Sequence, residues 1–207
     1  MQTALWNKST KQVFIGQLLT CLLGILAGII GFFASAATAV ATGSALMGSG
    51  EGAGTAATLG VISTILEIAI LVGYVLIFLG IMGMKNSSDG EIQKGVQNLW
   101  IATILNVVGA VLGLIPVISI VGTICNLVAL IFLIIGYSAL KNSAEMAAFS
   151  PIGAKGFKTL FTAEIIAIIG TVVGFIPIIG IIGTLACFVA YIMVLVGWKR
   201  VSTPVAE

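Results

Sequence analysis

From Gly95 to Tyr137 the chain carries no charged side chain, and its apolar residues follow one another in runs rather than in alternation. Alternating strands would show a period of two, so the pattern argues against a membrane barrel. About 20 helical residues at roughly 1.5 Å each cross a hydrocarbon core of about 30 Å. On that length scale the pattern predicts spans at about residues 12–33, 59–84, 97–115, 117–138, 158–175 and 178–198. The predicted fold class is an all-α integral membrane protein: a single membrane domain of six transmembrane helices in three consecutive hairpins, covering about residues 12–84, 95–140 and 156–200.

Two prolines interrupt the most apolar regions, in "GLIPVISIVG" (113–122) and "GFIPIIGIIG" (174–183). Proline lacks a backbone N–H and has a fixed φ, which suits the first turn of a helix and breaks a helix interior. Pro116 and Pro177 are therefore predicted at the turns of two hairpins, with Gly113 and Gly174 as C-terminal caps before them. Sliding residues 95–137 over 156–198 matches 17 of 43 positions, including all five glycines and the proline. This predicts a duplicated hairpin, the second copy 61 residues after the first. A fainter third copy is expected in the first hairpin, where "LGIMGMKNS" (79–87) echoes "IGYSALKNS" (135–143). There residues 34–58, rich in Gly, Ala and Ser, are expected to form a mobile exoplasmic loop.

Each odd-numbered span carries a Gly-x-x-x-Gly pair: Gly24 with Gly28, Gly109 with Gly113, Gly170 with Gly174. Such pairs let helix backbones approach closely, and packing holds helices together in lipid. The expected use is packing within one bundle, with self-association through an exposed pair as the alternative. Because each hairpin has two spans, the repeats run parallel, unlike the inverted repeats common in secondary transporters. A pseudo-threefold arrangement about the membrane normal is the corresponding hypothesis.

Composition and charge position sharpen the picture. Of 207 residues, 59% are hydrophobic and 8% charged, with a mean hydropathy of +1.24. A soluble domain carries about 25% charged residues. All nine basic residues sort to one side of the predicted spans: Lys8 and Lys11, Lys85 and Lys94, Lys141, Lys155 and Lys158, Lys199 and Arg200. Lys and Arg accumulate on the cytoplasmic side, so both termini are predicted cytoplasmic in a plasma or bacterial inner membrane. The apolar stretch Val13–Phe33 exceeds the 7–15 residues usual for a signal-peptide core, so cleavage is not expected. A net charge of +2 with scattered cations gives no basis for nucleic-acid binding.

Candidate chemistry is sparse. The chain has no histidine, which excludes H-E-x-x-H and Ser-His-Asp arrangements. "GSGEGAG" (48–54) fails the spacing of a dinucleotide fingerprint and has no basic residue nearby. Cys21, Cys125 and Cys187 lie inside apolar runs without paired spacing, so no metal or cofactor is expected. Two carboxylates fall within predicted spans, Glu67 and Glu164, and intramembrane ionisable groups often mark ion or proton pathways. Tyr191 mirrors Glu164 across the Pro177 turn and is the expected hydrogen-bond partner. The alternative is a purely structural carboxyl, bonded across a helix pair or, for Glu164, snorkelling. Asn106 and Asn126, each ten residues from Pro116, are expected to pair across their hairpin. Residues 91–98 and 141–158 read as ordinary solvated connections with some scope for soluble partners or anionic headgroups.

These features favour a non-enzymatic accessory, assembly or interaction subunit embedded in the lipid bilayer, as a homo-oligomer or with other membrane subunits. One alternative is a small channel or proton-coupled transporter using Glu67 and Glu164. Another is a membrane-shaping protein whose last two hairpins wedge into one leaflet.

Overall fold

A computed structural model of the chain describes residues 2–46, 53–113, 115, 118–174, 176 and 180–206. It is all-helical over those residues: α1 (Thr3–Leu46), α2 (Ala53–Ser87), α3 (Gly90–Gly113), α4 (Ser119–Asn142), α5 (Ala144–Phe149), α6 (Pro151–Gly174) and α7 (Gly180–Val201). All but the short α5 are long and apolar enough to cross a membrane. They pack as pairs, α1 with α2, α3 with α4 and α6 with α7. The prolines at 116 and 177 lie outside the described residues.

Several helix ends differ from the expected ones. α1 begins at Thr3 rather than near residue 12, and α3 begins at Gly90, so that the expected connection 91–98 is helical. Two further differences have a local cause. The stretch expected as a loop from residue 34 is helical to Leu46, and α2 already begins at Ala53. Alanine is the best helix former. The polar residues of this stretch also turn their hydroxyls onto their own helix: Ser35 Oγ, Thr38 Oγ1 and Thr42 Oγ1 donate to the carbonyls of Gly31, Ala34 and Thr38 at 2.8–2.9 Å. The connection expected at 141–158 contains α5 and the first two turns of α6. Ser143 Oγ accepts from Met146 N at 3.1 Å and Ser150 Oγ from Gly153 N at 3.0 Å, so each serine caps the helix after it. Pro151, at the first position of α6, has no N–H to leave orphaned.

By compactness the chain forms two units. The larger combines residues Met1–Gln17 with Tyr74–Glu207. Its core is a cluster of buried side chains including Trp6, Met84, Leu99, Leu140, Phe157 and Val201. Every one of these lies near the end of its helix that also bears the basic residues. Trp6 packs edge-on against Phe149 at 5.6 Å between ring centroids. Asn7 fastens the two chain ends by two hydrogen bonds, Nδ2 to the Val205 carbonyl and Oδ1 from Val205 N, both 3.0 Å. The Lys85 ammonium sits over the Trp100 ring and the Lys141 ammonium over Phe161, at 3.8 and 3.3 Å from the centroids. Across the start of α3, the Glu145 carboxylate accepts from Glu91 N at 2.7 Å and sits against Gly90, whose φ of +57° favours glycine.

Within this unit the hairpins close through glycine. In α3 and α4, Gly95 faces Leu140 and the Gly136 carbonyl, and Gly122 lies on the Gly109 carbonyl and the Gly113 backbone. In α6 and α7, Gly156 faces Val201 and the Gly197 carbonyl, and Gly183 lies on the Gly170 carbonyl and the Gly174 backbone. Each contact of the second pair sits 61 residues after its counterpart in the first. On α2, Gly80 lies against Val13 and the Ser9 carbonyl of α1.

The smaller unit is Leu18–Gly73, formed from the remaining lengths of α1 and α2. Its large apolar side chains, among them Leu22, Ile29, Phe32, Val61, Ile65 and Ile68, are exposed. That is the exposure expected of helices whose solvent is lipid.

Candidate functional site

A polar cluster of the larger unit lies where α4, α6 and α7 meet. Tyr137, 4% exposed, and Trp198, 3% exposed, each follow a close-packed glycine, Gly136 and Gly197. Those glycines bring the helix backbones together and leave the next side chain to fill the interface. The Tyr137, Trp198 and Phe157 rings stand 6.2–6.4 Å apart between centroids. The Trp198 indole N–H lies near the Tyr137 hydroxyl. Glu164, half-buried near the middle of α6, is close enough to that hydroxyl to act on it electrostatically. A carboxyl, a phenol and an indole are thus gathered against aromatic faces, an arrangement able to hold or pass one proton.

Placement of the predicted residues follows from which helices touch. Tyr191, expected as the partner of Glu164, is 52% exposed on α7. Tyr137 of α4 also lies near Glu164, because α6 packs on α4 as well as on its own hairpin partner. Glu67 is exposed on α2 in the smaller unit, as are the neighbouring Ile65 and Ile68. Asn126 lays its Oδ1 against Gly109, and among the described residues no hydrogen bond joins it to Asn106. Its counterpart 61 residues on, Cys187, occupies the same place against Gly170. The three cysteines are free thiols.

The glycine pairs divide into two kinds. An added Cβ at Gly109 or Gly170 meets the partner helix, and the backbones of Gly113 and Gly174 are contacted from Gly122 and Gly183. At Gly24, Gly28 and Gly31 of α1 an added Cβ meets nothing within 4 Å. Nearer its N-terminus, α1 is met by Gly80 and Gly83 of α2, against Ser9 and Val13.

No protein-family model, curated protein or solved structure matches the chain. Tyr137 and Trp198 were not singled out from the sequence. The signal for them was their shared place, 61 residues apart and each directly after a register glycine.

Proposed function

We propose that the chain is a non-enzymatic polytopic membrane subunit that works by helix association inside the bilayer, as an accessory or assembly component. The observation that carries this reading is the open small-residue face Gly24, Gly28 and Gly31 on α1. Of the equivalent glycines on α3 and α6, Gly109 and Gly170 are filled by their hairpin partners, whereas at Gly113 and Gly174 an added Cβ also meets nothing within 4 Å. Inside lipid, close backbone approach is a main source of helix affinity, and this face has its approach left unused. Parallel duplication of the α3–α4 hairpin as α6–α7 fits the same reading, supported by the matched glycine contacts. The one-sided basic residues support both termini being cytoplasmic.

The test is extraction into native nanodiscs and mass determination of the particle, for the wild type and for Gly24→Leu with Gly28→Leu. A homo-oligomer or a stoichiometric foreign subunit that the double substitution releases supports the proposal. A monomer in both cases refutes it. A second reading, a proton-coupled transporter, is favoured by one observation, the Glu164 carboxyl beside Tyr137. Proton flux in proteoliposomes that falls with Glu164→Gln supports it, and flux indifferent to Glu67→Gln and Glu164→Gln together refutes it.

A further inference from the structure

At the basic end of α6 and α7 an open groove of about 420 Å³ is lined by Lys155, Lys158, Thr159 and Arg200, with Ile152 and Met193 among its apolar wall. We propose that this groove binds the headgroup phosphate of an anionic phospholipid.

Its polar end is built rather than incidental. Arg200 Nη1 donates to Thr159 Oγ1 at 2.9 Å, and the same hydroxyl donates to the Lys155 carbonyl at 3.0 Å. One threonine thereby fixes the guanidinium between the two helices and leaves its remaining donors free for an oxyanion, the group that a planar fork of N–H bonds fits best. Lys155 and Lys158 supply two more cations on the same helix face. No carboxylate lines the groove, and among the described residues none of these three cations forms an ion pair.

The remainder of the groove selects a lipid over a free phosphate. Met193 lies further along α7 from its basic end, and the exposed Ile192 and Val196 continue that surface. A phosphate held by Arg200 and the lysines thus has an aliphatic surface beside it on which acyl chains lie. The sister hairpin is an internal contrast. At the positions 61 residues earlier Lys94 matches Lys155, but Gln97, Asn98 and Ala139 stand where α6 and α7 have Lys158, Thr159 and Arg200. Two of the three cations belong to one hairpin alone.

Native mass spectrometry tests the proposal on the full chain released from nanodiscs of phosphatidylcholine containing one-quarter phosphatidylglycerol. Each cation near a membrane surface adds about 1 kcal/mol of attraction, so retained phosphatidylglycerol should exceed phosphatidylcholine by about tenfold or more relative to its supply. Lys155→Gln with Lys158→Gln, which leaves the Arg200–Thr159 contact in place, should abolish most of that preference. Lys94→Gln should keep it. Glycerol 1-phosphate, which has the anion without acyl chains, should not displace the lipid at millimolar concentration. Equal retention of both lipids overturns the proposal, as does equal loss in Lys94→Gln. Displacement by glycerol 1-phosphate overturns the lipid assignment in favour of a small-anion site.

Discussion

At the scale of single residues, the glycines separate positions that look alike in the sequence. A Cβ at Gly122 would stand 2.7 Å from the Gly109 carbonyl and 3.0 Å from the Gly113 nitrogen, both backbone atoms. Gly122→Leu should therefore force α3 and α4 apart and cost about 1–3 kcal/mol, the range for overpacking, measured by reversible unfolding in mixed detergent micelles. At Gly24 an added Cβ meets nothing within 4 Å, so Gly24→Leu should not destabilise the isolated chain and, by replacing a mid-helix glycine, should raise its stability by at most about 1 kcal/mol. The polar cluster gives a second prediction. Tyr137→Phe removes a buried hydroxyl that lies near both the Trp198 N–H and Glu164, and should cost about 0.5–1.5 kcal/mol. In a double-mutant cycle with Glu164→Gln, the two losses should be non-additive by about 0.5 kcal/mol or more. Strict additivity would mean that carboxyl and phenol do not act on each other. Glu67→Gln, on an exposed face of the smaller unit, should leave the same unfolding curve in place.

At the scale of elements, the apolar runs made the six long helices legible, because each run approaches or exceeds the length of a bilayer crossing. Their ends were harder to read, since polarity marks where lipid stops and not where a helix does. Residues 34–46 illustrate this: Ala, Ser and Thr suit a loop by polarity, yet they have the propensity and back-bonding of a helix. The short α5 was missed because six residues carry no periodicity, although Ser143 and the Ser150–Pro151 pair are start signals readable in advance. If Ser150 holds the start of α6, Ser150→Ala should cost about 1 kcal/mol by the same unfolding measurement. Ser150→Asp, an alternative cap, should retain most of the wild-type stability. The nearness of Tyr137 to Glu164 was not legible, because reading one hairpin at a time reaches only Tyr191, whereas Tyr137 comes from the neighbouring hairpin. Hydropathy reports which helices are in the membrane, and side-chain matching across three of them is a property of the packed bundle.

At the scale of the whole molecule, helix lengths and charge together set a topology that can be tested. At about 1.5 Å per residue, α3, α4, α6 and α7, with 22–24 residues each, are about 33–36 Å long and match a single crossing. The 44 residues of α1 extend about 66 Å, more than twice the hydrocarbon thickness. With its N-terminal end in the basic core, a crossing by α1 is expected to leave the excess at the other end, where Thr38 and Thr42 replace the apolar run. Six full crossings then place Thr42 and Ile115 on one side of the membrane and Ala147, exposed on α5, on the other. Single cysteines at these three positions, in a chain with Cys21, Cys125 and Cys187 replaced by alanine, should report this through an impermeant maleimide. Thr42→Cys and Ile115→Cys should be modified in intact cells, and Ala147→Cys only after the cytoplasmic face is opened. Protection of Ile115→Cys from both sides would instead place the α3–α4 turn within the bilayer and favour a hairpin wedged into one leaflet. Labelling of Ala147→Cys from outside would reverse the orientation inferred from the nine basic residues.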